Sequence, residues 1–254
     1  MSLQRIRRGS VVAIAALAVV TALWVCRQNA SAADQTVGSV SYVQGTAQRA
    51  RGGTASWNAV KERSTVYQGD RLKTGDSARL EATLTDGSKL RLAANSELSL
   101  DKVDVSKKKA KTVKAKLVIG QLWASVTKLF GSDSKFEVTT DNAVAGVRGT
   151  RFAAAKDAEG KTTVKVYSGQ VLVSNQPIYA VKGHTKANRV EVSGPQEVTK
   201  DQWEELVAGA MQVVTVAANG EMTPAQSFAL ADSKAGDDWE AWNSERDKVA
   251  AINE

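Results

Sequence analysis

An all-β fold is predicted for most of this 254-residue chain, with a short helical tail at its C-terminal end. Apolar and polar residues alternate with a period of two in segment after segment, and glycine recurs between the segments at the spacing of turns. No helical pattern separates the segments, which excludes a parallel α/β sheet. A sandwich, a barrel or a solenoid-like stack of short strands remains, and no strict repeat supports a regular β-helix.

Residues 1–32 predict a secretory signal peptide. Arg5, Arg7 and Arg8 precede an apolar run, Val11–Cys26, and Ala30-Ser31-Ala32 supplies the small residues of a cleavage site. The run is shorter than the roughly 20 residues that span a bilayer, so cleavage is favoured over a retained anchor. In either case we expect the rest of the chain to be exported to the periplasm or cell envelope of a bacterium. Both general secretion and twin-arginine export remain open.

Cleavage after Ala32 would change the composition that matters for function. The segment carries four arginines and no acid, so the formal net charge falls from +7 to +3 (7 minus 4). The basic balance therefore gives no argument for nucleic acid. Cys26 is the only cysteine and leaves with the segment, so we expect neither a disulfide nor a thiolate site in the mature chain.

The clearest strands lie between Ala78 and Leu100. Ala78, Leu80, Ala82 and Leu84 alternate with polar residues, and Asp86-Gly87 then predicts a tight hairpin turn. Two further strands follow with the same alternation. Other strands are predicted where apolar residues alternate at 113–119, 122–126, 136–138, 164–166, 171–173 and 211–217.

The chain divides into four predicted parts: the signal peptide, an all-β domain over 33–196, a helical turn plus a final strand over 197–222, and a helical, acidic tail over 223–254. Within the third part the helical turn is expected at Asp201–Ala210. In the tail, Asp237 or Asp238 can cap a helix that places Trp239, Trp242, Arg246 and Val249 on one face. This helix either covers its own β domain or is offered to a partner protein.

Five ordered motifs resemble the FecR domain, the periplasmic domain of iron-dicitrate-type regulators. They are Gly45-Thr46-Ala47 with Trp57, then Val66–Leu92, Gly120–Val126, Phe136–Ala153 and Val166–Val173. The resemblance covers roughly residues 37–175. It implies an exported all-β domain and a structural signature at Gly69, Asp70, Thr74, Gly75, Asp86, Gly87, Gly146, Arg148, Gly149, Thr150 and Phe152.

The regulators of that family hold a sigma factor through a cytoplasmic segment before their membrane helix. Only ten residues precede the apolar run that begins at Val11 here, so that role is not expected. The stretch Asn142–Phe152, NAVAGVRGTRF, lacks the spacing of a phosphate loop. We interpret it as a turn between strands in which Gly146 and Gly149 supply special backbone conformations and Thr150 bonds the turn. Arg148 and Arg151 keep a modest anion contact open.

Catalysis, metal binding and cofactor binding are not expected. His184 is the single histidine and stands between Lys182 and Lys186, so no histidine pair or triad is available. Asp70 and Asp76 lie in turn motifs, where a carboxylate bonds nearby backbone N–H groups rather than acting as a glycosidase acid. We therefore expect a binding protein and no enzyme.

Seven lysines between Lys102 and Lys116 form the strongest charge feature. They either solvate a hairpin tip and discourage edge pairing, or attract an anionic glycan of the envelope, with Lys107, Lys108, Lys109, Lys111 and Lys114 as the expected contacts. The acidic segment Glu221–Glu254, with eight acids against three basic residues, could oppose them. The favoured function is a sensing or interaction module with an envelope protein as partner. The alternative is a structural protein that binds glycan.

Overall fold

The computed structural model describes residues 35–104, 111–127, 134–147, 149–175, 207–229 and 238–252. The predicted signal peptide, His184, Lys107, Lys108, Lys109 and Arg148 lie outside the described residues, as does Asp201–Leu206 of the expected helical turn. The described part of that turn differs from the expectation, because Val207–Ala208 form a strand. No helix among the described residues is both long and apolar enough to cross a bilayer.

The described residues form seventeen strands and one helix. The strands are β1 Thr36–Gln44, β2 Ala47–Ala50, β3 Asn58–Ala59, β4 Thr65–Tyr67, β5 Arg71–Thr74, β6 Arg79–Leu84, β7 Lys89–Leu92, β8 Glu97–Asp104, β9 Thr112–Ser125, β10 Lys135–Thr139, β11 Val144–Val147, β12 Arg151–Lys156, β13 Thr162–Ser168, β14 Val171–Ser174, β15 Val207–Ala208, β16 Gln212–Val216 and β17 Gln226–Ser227. Helix α1 is Asp238–Ile252. The predicted all-β class with a C-terminal helix is confirmed.

The strands form two sheets that share strand β9. Sheet A has the order β4-β1-β6-β7-β9-β12-β13-β16-β17, and sheet B has the order β3-β2-β5-β8-β9-β10-β11-β14-β15. Among the described strands every pairing is antiparallel except that of β9 with β10. One hydrophobic core contains residues of both sheets, such as Leu80 and Phe152 of sheet A and Leu72 and Phe136 of sheet B. The arrangement is therefore a sandwich.

Strand β9 passes from sheet B to sheet A at Gly120. Its first half pairs with β8 and β10, and its second half pairs with β7 and β12. Gly120 has a φ of 90°, and a Cβ there would lie 2.3 Å from Ser96 Oγ and 2.6 Å from Ser96 Cα. Only glycine fits this corner, because a side chain would meet both the unfavourable φ and the backbone of Ser96.

Glycines at positive φ mark four more corners between the sheets. They are Gly45, Gly69, Gly149 and Gly169. At each of these four glycines one strand ends in one sheet and the next begins in the other. The hairpin predicted at Asp86-Gly87 is also confirmed, since Leu84 N–H donates to Ser88 O over 2.8 Å between β6 and β7.

The period of two predicted most inward-facing residues correctly, with Ile119 as an exception. Its side chain is 40% exposed, although the alternation Val113, Ala115, Leu117, Ile119 places it in the core. The pairing of β8 with β9 shifts register between Leu117 and Ile119, next to the Gly120 corner, which breaks the alternation.

Candidate functional site

The outer face of sheet A carries a row of polar and aromatic side chains. Register pairs join Tyr42 to Glu81, Glu81 to Arg91, Arg91 to Trp123, Trp123 to Ala153 and Ala153 to Lys165, so these residues lie side by side across five neighbouring pairs of strands. Residues that alternate with them, such as Leu80, Leu90 and Leu122, face the core. We call Tyr42, Glu81, Arg91, Trp123, Ala153 and Lys165 the sheet A row.

Helix α1 lies on the sheet A row. Near its start, Glu240 Oε1 accepts from Lys165 Nζ over 2.5 Å, in strand β13. Further along the helix, Arg246 donates to Glu81 in strand β6 over 3.1 and 3.2 Å. Because β13 and β6 are four strands apart in sheet A, the helix runs across the strands rather than along them.

The centre of this contact is a buried ionic network. Arg91 Nη1 donates to Asp247 Oδ1 over 2.7 Å, and Arg91 Nε donates to Glu81 Oε2 over 2.6 Å. Trp123 Nε1 donates to the second oxygen of Asp247 over 3.0 Å. Asn243 completes the network, since its Oδ1 accepts from Arg91 Nη1 over 3.3 Å and its own Nδ2 donates to Trp239 O over 2.8 Å. All five side chains are buried.

Glu81 stays ionised in this network. Its burial by itself raises the pKa, but hydrogen bonds from Arg246, Ser41 and Arg91 outweigh that effect and lower the pKa from 4.5 to about 2. Glu81 therefore holds two arginines, one from the sheet and one from the helix. A carboxyl that is always charged near neutral pH suits a fixed ion pair and does not suit proton transfer.

Aromatic rings surround the ionic network. Trp239 and Trp242 stack with centroids 5.4 Å apart, and Trp242 packs on Tyr42 at 5.5 Å. Trp123 packs on Tyr167 at 4.2 Å, on the other side of the network. The cation–π contact expected within the helix is present, with the Arg246 guanidinium 5.0 Å from the Trp242 ring.

The residues expected on the helix thus contact their own β domain. Trp239, Trp242 and Arg246 face the sheet A row, and the side chain of Val249 lies outside the described residues. The sequence pattern missed the side chains that form the ionic network: Glu81, Arg91, Asn243 and Asp247. In the alternation Glu81 and Arg91 looked solvent-facing, and the polar helix positions looked like the exposed face. The spacing of Glu240, Asn243 and Asp247 at intervals of three and four residues places them on one face of the helix. This spacing could have indicated the helix side of the polar contact.

The signature residues implied by the family resemblance are dispersed rather than gathered at one site. Asp70 is buried and accepts from Tyr67 N–H over 2.9 Å. Burial raises the pKa of Asp70, although the Tyr67 N–H, Arg49 and Arg51 oppose the rise. Thr74 is also buried and donates to Ala93 O over 2.5 Å, while Gly75 N–H donates to Thr46 O over 2.8 Å.

Within the stretch Asn142–Phe152 the structure corrects two expectations. Gly149 has a φ of 66°, as expected, but Gly146 lies inside β11 without a positive φ, and a Cβ there would meet its nearest atoms at 3.9 Å. Among the described residues the buried Thr150 hydroxyl has no hydrogen-bond partner. Phe152 lies in the core. Arg151 donates to Ser168 Oγ over 3.1 Å.

Asn142 is the residue of that stretch that the sequence interpretation overlooked. Its Nδ2 donates to the backbone oxygens of Gly160, Val216 and Ala217 at 3.0, 3.2 and 2.7 Å. Its Oδ1 accepts from Thr162 Oγ1 over 2.7 Å. The side chain thereby joins the turn before β11 to the β12–β13 hairpin and to the end of β16.

The described lysines of the 102–116 segment are partly matched by acids on sheet B. Lys114 pairs with Glu137 at 3.3 Å and Lys116 with Asp141 at 2.8 Å. Asp141 also pairs with Lys156, and hydrogen bonds from Lys116 and Lys156 lower its pKa to about 2. Lys111 has a backbone contact, in which its N–H donates to Ser134 Oγ over 3.1 Å. Lys114 and Lys116 therefore belong to a network of surface ion pairs.

A cleft of about 340 Å³ opens beside these ion pairs. Its lining includes Asp141, Asn142, Lys156, Gly160 and Ile119. Of the two turn aspartates, Asp70 is buried, and Asp76 Oδ1 accepts from Asn95 Nδ2 over 3.5 Å. Among the described residues no group of three or more histidine, cysteine, aspartate and glutamate side chains is placed to hold a metal ion.

Comparison with known proteins agrees with the motifs. The family model FecR, described as FecR protein, matches residues 70–172, a narrower range than the motifs cover. No curated protein matched the chain by sequence.

Two crystal structures of provisionally named anti-sigma factors from Parabacteroides distasonis ATCC 8503 are similar. One, at 2.50 Å resolution, has 17% sequence identity and a TM-score of 0.43; the other, at 1.65 Å, has 18% and 0.41. Each comparison covers 62% of this chain and 59% of the other, so this chain spans less than two thirds of their length. By its sequence motifs and the family match, the segment from Asp70 in β5 to Leu172 in β14 is similar to the FecR domain.

Proposed function

We propose that this chain is an exported binding protein of the bacterial envelope that senses or transmits a signal through contact with another protein, without catalysis. The observation that carries the proposal is the sheet A row, a face of the β domain that binds helix α1 through matched charges and aromatic rings. Such a face recognises a surface and has no feature that would transform a substrate.

The ionisable groups support a binding role. Glu81 has a pKa of about 2 and two arginine partners, and Asp247 is held by Arg91 and Trp123. Groups fixed in this way contribute specificity, whereas a general acid or base needs a pKa near the working pH. Export rests on the basic, apolar and small-residue pattern of residues 1–32.

Fractionation tests the export part of the proposal. The full chain is produced in a Gram-negative bacterium, and the mass of the protein in each cell fraction is measured. We expect the periplasmic or envelope fraction to contain a chain that begins at Ala33. A chain of full length in the cytoplasm would contradict export.

Site-specific photo-crosslinking tests the binding part. A photoreactive residue replaces Arg79, whose guanidinium lies 5.0 Å from the Trp242 ring at the border of the sheet A row. The control position is the exposed Glu62, before strand β4. We expect a discrete adduct with an envelope protein in the native host from position 79 alone. Equal patterns from both positions, or adducts from neither, would count against a binding role for this face.

A further inference from the structure

The sheet A row contains a receptor for one carboxylate. Arg91 Nη1 and Trp123 Nε1 approach the two oxygens of Asp247 at 2.7 and 3.0 Å, one donor for each oxygen. Both donors come from neighbouring strands, β7 and β9, whose register places Arg91 opposite Trp123. Two fixed donors that meet one carboxylate select an acidic side chain at this point.

This receptor is assembled by the sheet without the helix. Glu81 Oε2 accepts from Arg91 Nε over 2.6 Å, and Ser41 Oγ donates to Glu81 Oε1 over 2.6 Å. Trp123 is held by Tyr167 at 4.2 Å. When the helix leaves, Arg91 therefore keeps its partner Glu81 and its orientation, and water can solvate the two free donors. The sheet A row remains ready to bind again.

The helix face that meets the row is polar at its centre. Glu240, Asn243 and Asp247 are buried there, and the apolar part of the contact comes from Trp239 and Trp242. Apolar residues of similar volume usually stabilise a permanent contact as well as a buried ion pair does. Buried charges instead discriminate between ligands, because a helix without the matching groups leaves them unpaired.

From this geometry we propose that the sheet A row is the docking site for an acidic, aromatic helix of another protein, and that α1 occupies it as an internal competitor. The proposal rests on the binding role proposed above and names the chemistry of the partner. The helix must offer a carboxylate to Arg91 and Trp123, a cation to Glu81 and an aromatic ring to Tyr42. Helix α1 fulfils all three requirements.

Competition follows from the covalent connection. Residues 230–237 join the end of the β domain to α1, and a short connection gives an attached ligand an effective concentration on the order of millimolar. A partner helix must exceed that concentration or bind more tightly than α1. Weakening α1 therefore increases the apparent affinity of the site for a free helix.

A labelled synthetic peptide of residues 238–252 tests the proposal as the free helix. Fluorescence anisotropy measures its binding to the wild-type mature chain and to a chain with Asp247→Ala and Trp242→Ala, in which α1 is weakened. We expect at least about 10-fold tighter binding to the weakened chain, because it has lost a charge-assisted hydrogen bond and a ring contact. Arg91→Gln added to the weakened chain should remove the binding, and the same peptide with Asp247→Asn should bind about 10-fold more weakly.

Two controls separate docking from general effects. Lys73→Gln on sheet B, whose side chain lies 4.1 Å from the Trp57 ring, should leave peptide binding unchanged in the weakened chain. Circular dichroism of each variant verifies the β domain. Equal affinity for the wild-type and weakened chains, or no binding to a weakened chain that keeps its β signal, would overturn the proposal.

A second copy of the chain is the competing occupant. Sedimentation of the wild-type chain at micromolar concentration distinguishes it: a monomer supports a separate partner, whereas a dimer that Arg91→Gln dissociates would overturn it. Because these measurements use purified protein and a peptide, they give an answer even if the chain is not exported. A failed fractionation or crosslinking experiment is therefore distinguishable from a failed peptide experiment.

Discussion

Arg91 of strand β7 and Asp247 of helix α1 form a buried ion pair, with Nη1 and Oδ1 2.7 Å apart, although the two residues are 156 positions apart in the chain. The pair joins the C-terminal helix to the β domain at the centre of sheet A. Its energetic value depends on the shared network, since Trp123 bonds the same carboxylate and Glu81 bonds the same guanidinium.

Asp247→Ala should lower the free energy of unfolding by about 3 kcal/mol, because it removes the buried carboxylate that accepts from both Arg91 Nη1 and the Trp123 N–H. Asp247→Asn keeps an acceptor and should cost less. Urea denaturation followed by tryptophan fluorescence measures both. The control is Glu245→Gln on the exposed side of α1, which loses only a surface pair with Lys248 and should change stability by less than about 0.5 kcal/mol. Equal effects of Asp247→Ala and Glu245→Gln would show that α1 does not dock.

Glu81 should make the folded chain sensitive to acid. Its pKa is about 2 when folded and 4.5 when unfolded, so the stability that it contributes is present above about pH 4.5 and is lost as the pH falls toward 2. The loss is about 3 kcal/mol. Glu81→Gln should reduce the slope of the free energy of unfolding against pH between about pH 5 and 2. Glu62→Gln, at an exposed position, should leave that slope unchanged. An unchanged slope in Glu81→Gln would contradict the network as described.

Asp70 should have the opposite effect to Glu81: its contribution to the free energy of unfolding should increase as the pH falls. Burial raises its pKa in the folded chain, so protonation favours the folded state as the pH falls through that pKa and down to 3.8, the unfolded value. Asp70→Asn removes this gain. We expect the variant to lose stability more steeply than the wild type as the pH falls toward 3.8, in urea denaturation repeated across the pH range. A shallower loss in Asp70→Asn would mean that Arg49 and Arg51 dominate the pKa.

Alanine substitutions at three glycines should distinguish the cost of backbone strain from the cost of a steric clash with neighbouring atoms. Gly120→Ala combines a φ of 90° with contact to Ser96 atoms at 2.3 to 2.7 Å and should cost more than about 3 kcal/mol. Gly53→Ala has a φ of 76° with no atom within 4 Å and should cost about 1 kcal/mol. Gly146→Ala has neither problem and should change stability by less than about 1 kcal/mol. Thermal unfolding ranks the three variants; a cost for Gly146→Ala equal to that of Gly120→Ala would refute the assignment of β11.

Asn142→Ala should cost about 2 to 4 kcal/mol in the free energy of unfolding, since three backbone oxygens and two threonine hydroxyls lose their shared partner. Asn142→Asp should be no better, because a carboxylate faces the same three oxygens. The matched control, Asn219→Ala, loses one exposed hydrogen bond to Glu221 N–H and should cost less than about 1 kcal/mol. Comparable losses at positions 142 and 219 would contradict the bridging role.

The strands could be predicted because alternation is a local consequence of strand geometry. Leu80, Leu90, Leu98 and Leu117 face the core as their spacing indicated. Ile119 departed from the pattern because the pairing of β8 with β9 shifts there, and a shift of register depends on both strands. The expectation for Gly146 was wrong for a related reason. Glycine occurs both inside strands and at corners between the sheets, and the sequence alone does not distinguish the two places.

By itself the sequence determined the all-β class, the hairpin at Asp86-Gly87, the FecR motifs and the C-terminal helix, because each is encoded in residues close together in the chain. Only the tertiary structure decided that Glu81 and Arg91 are buried, that Trp123 and Asp247 meet, and that β9 belongs to both sheets. Whether a polar side chain on an outer face meets water or a distant helix depends on what packs there, and alternation within one strand carries no information about that partner.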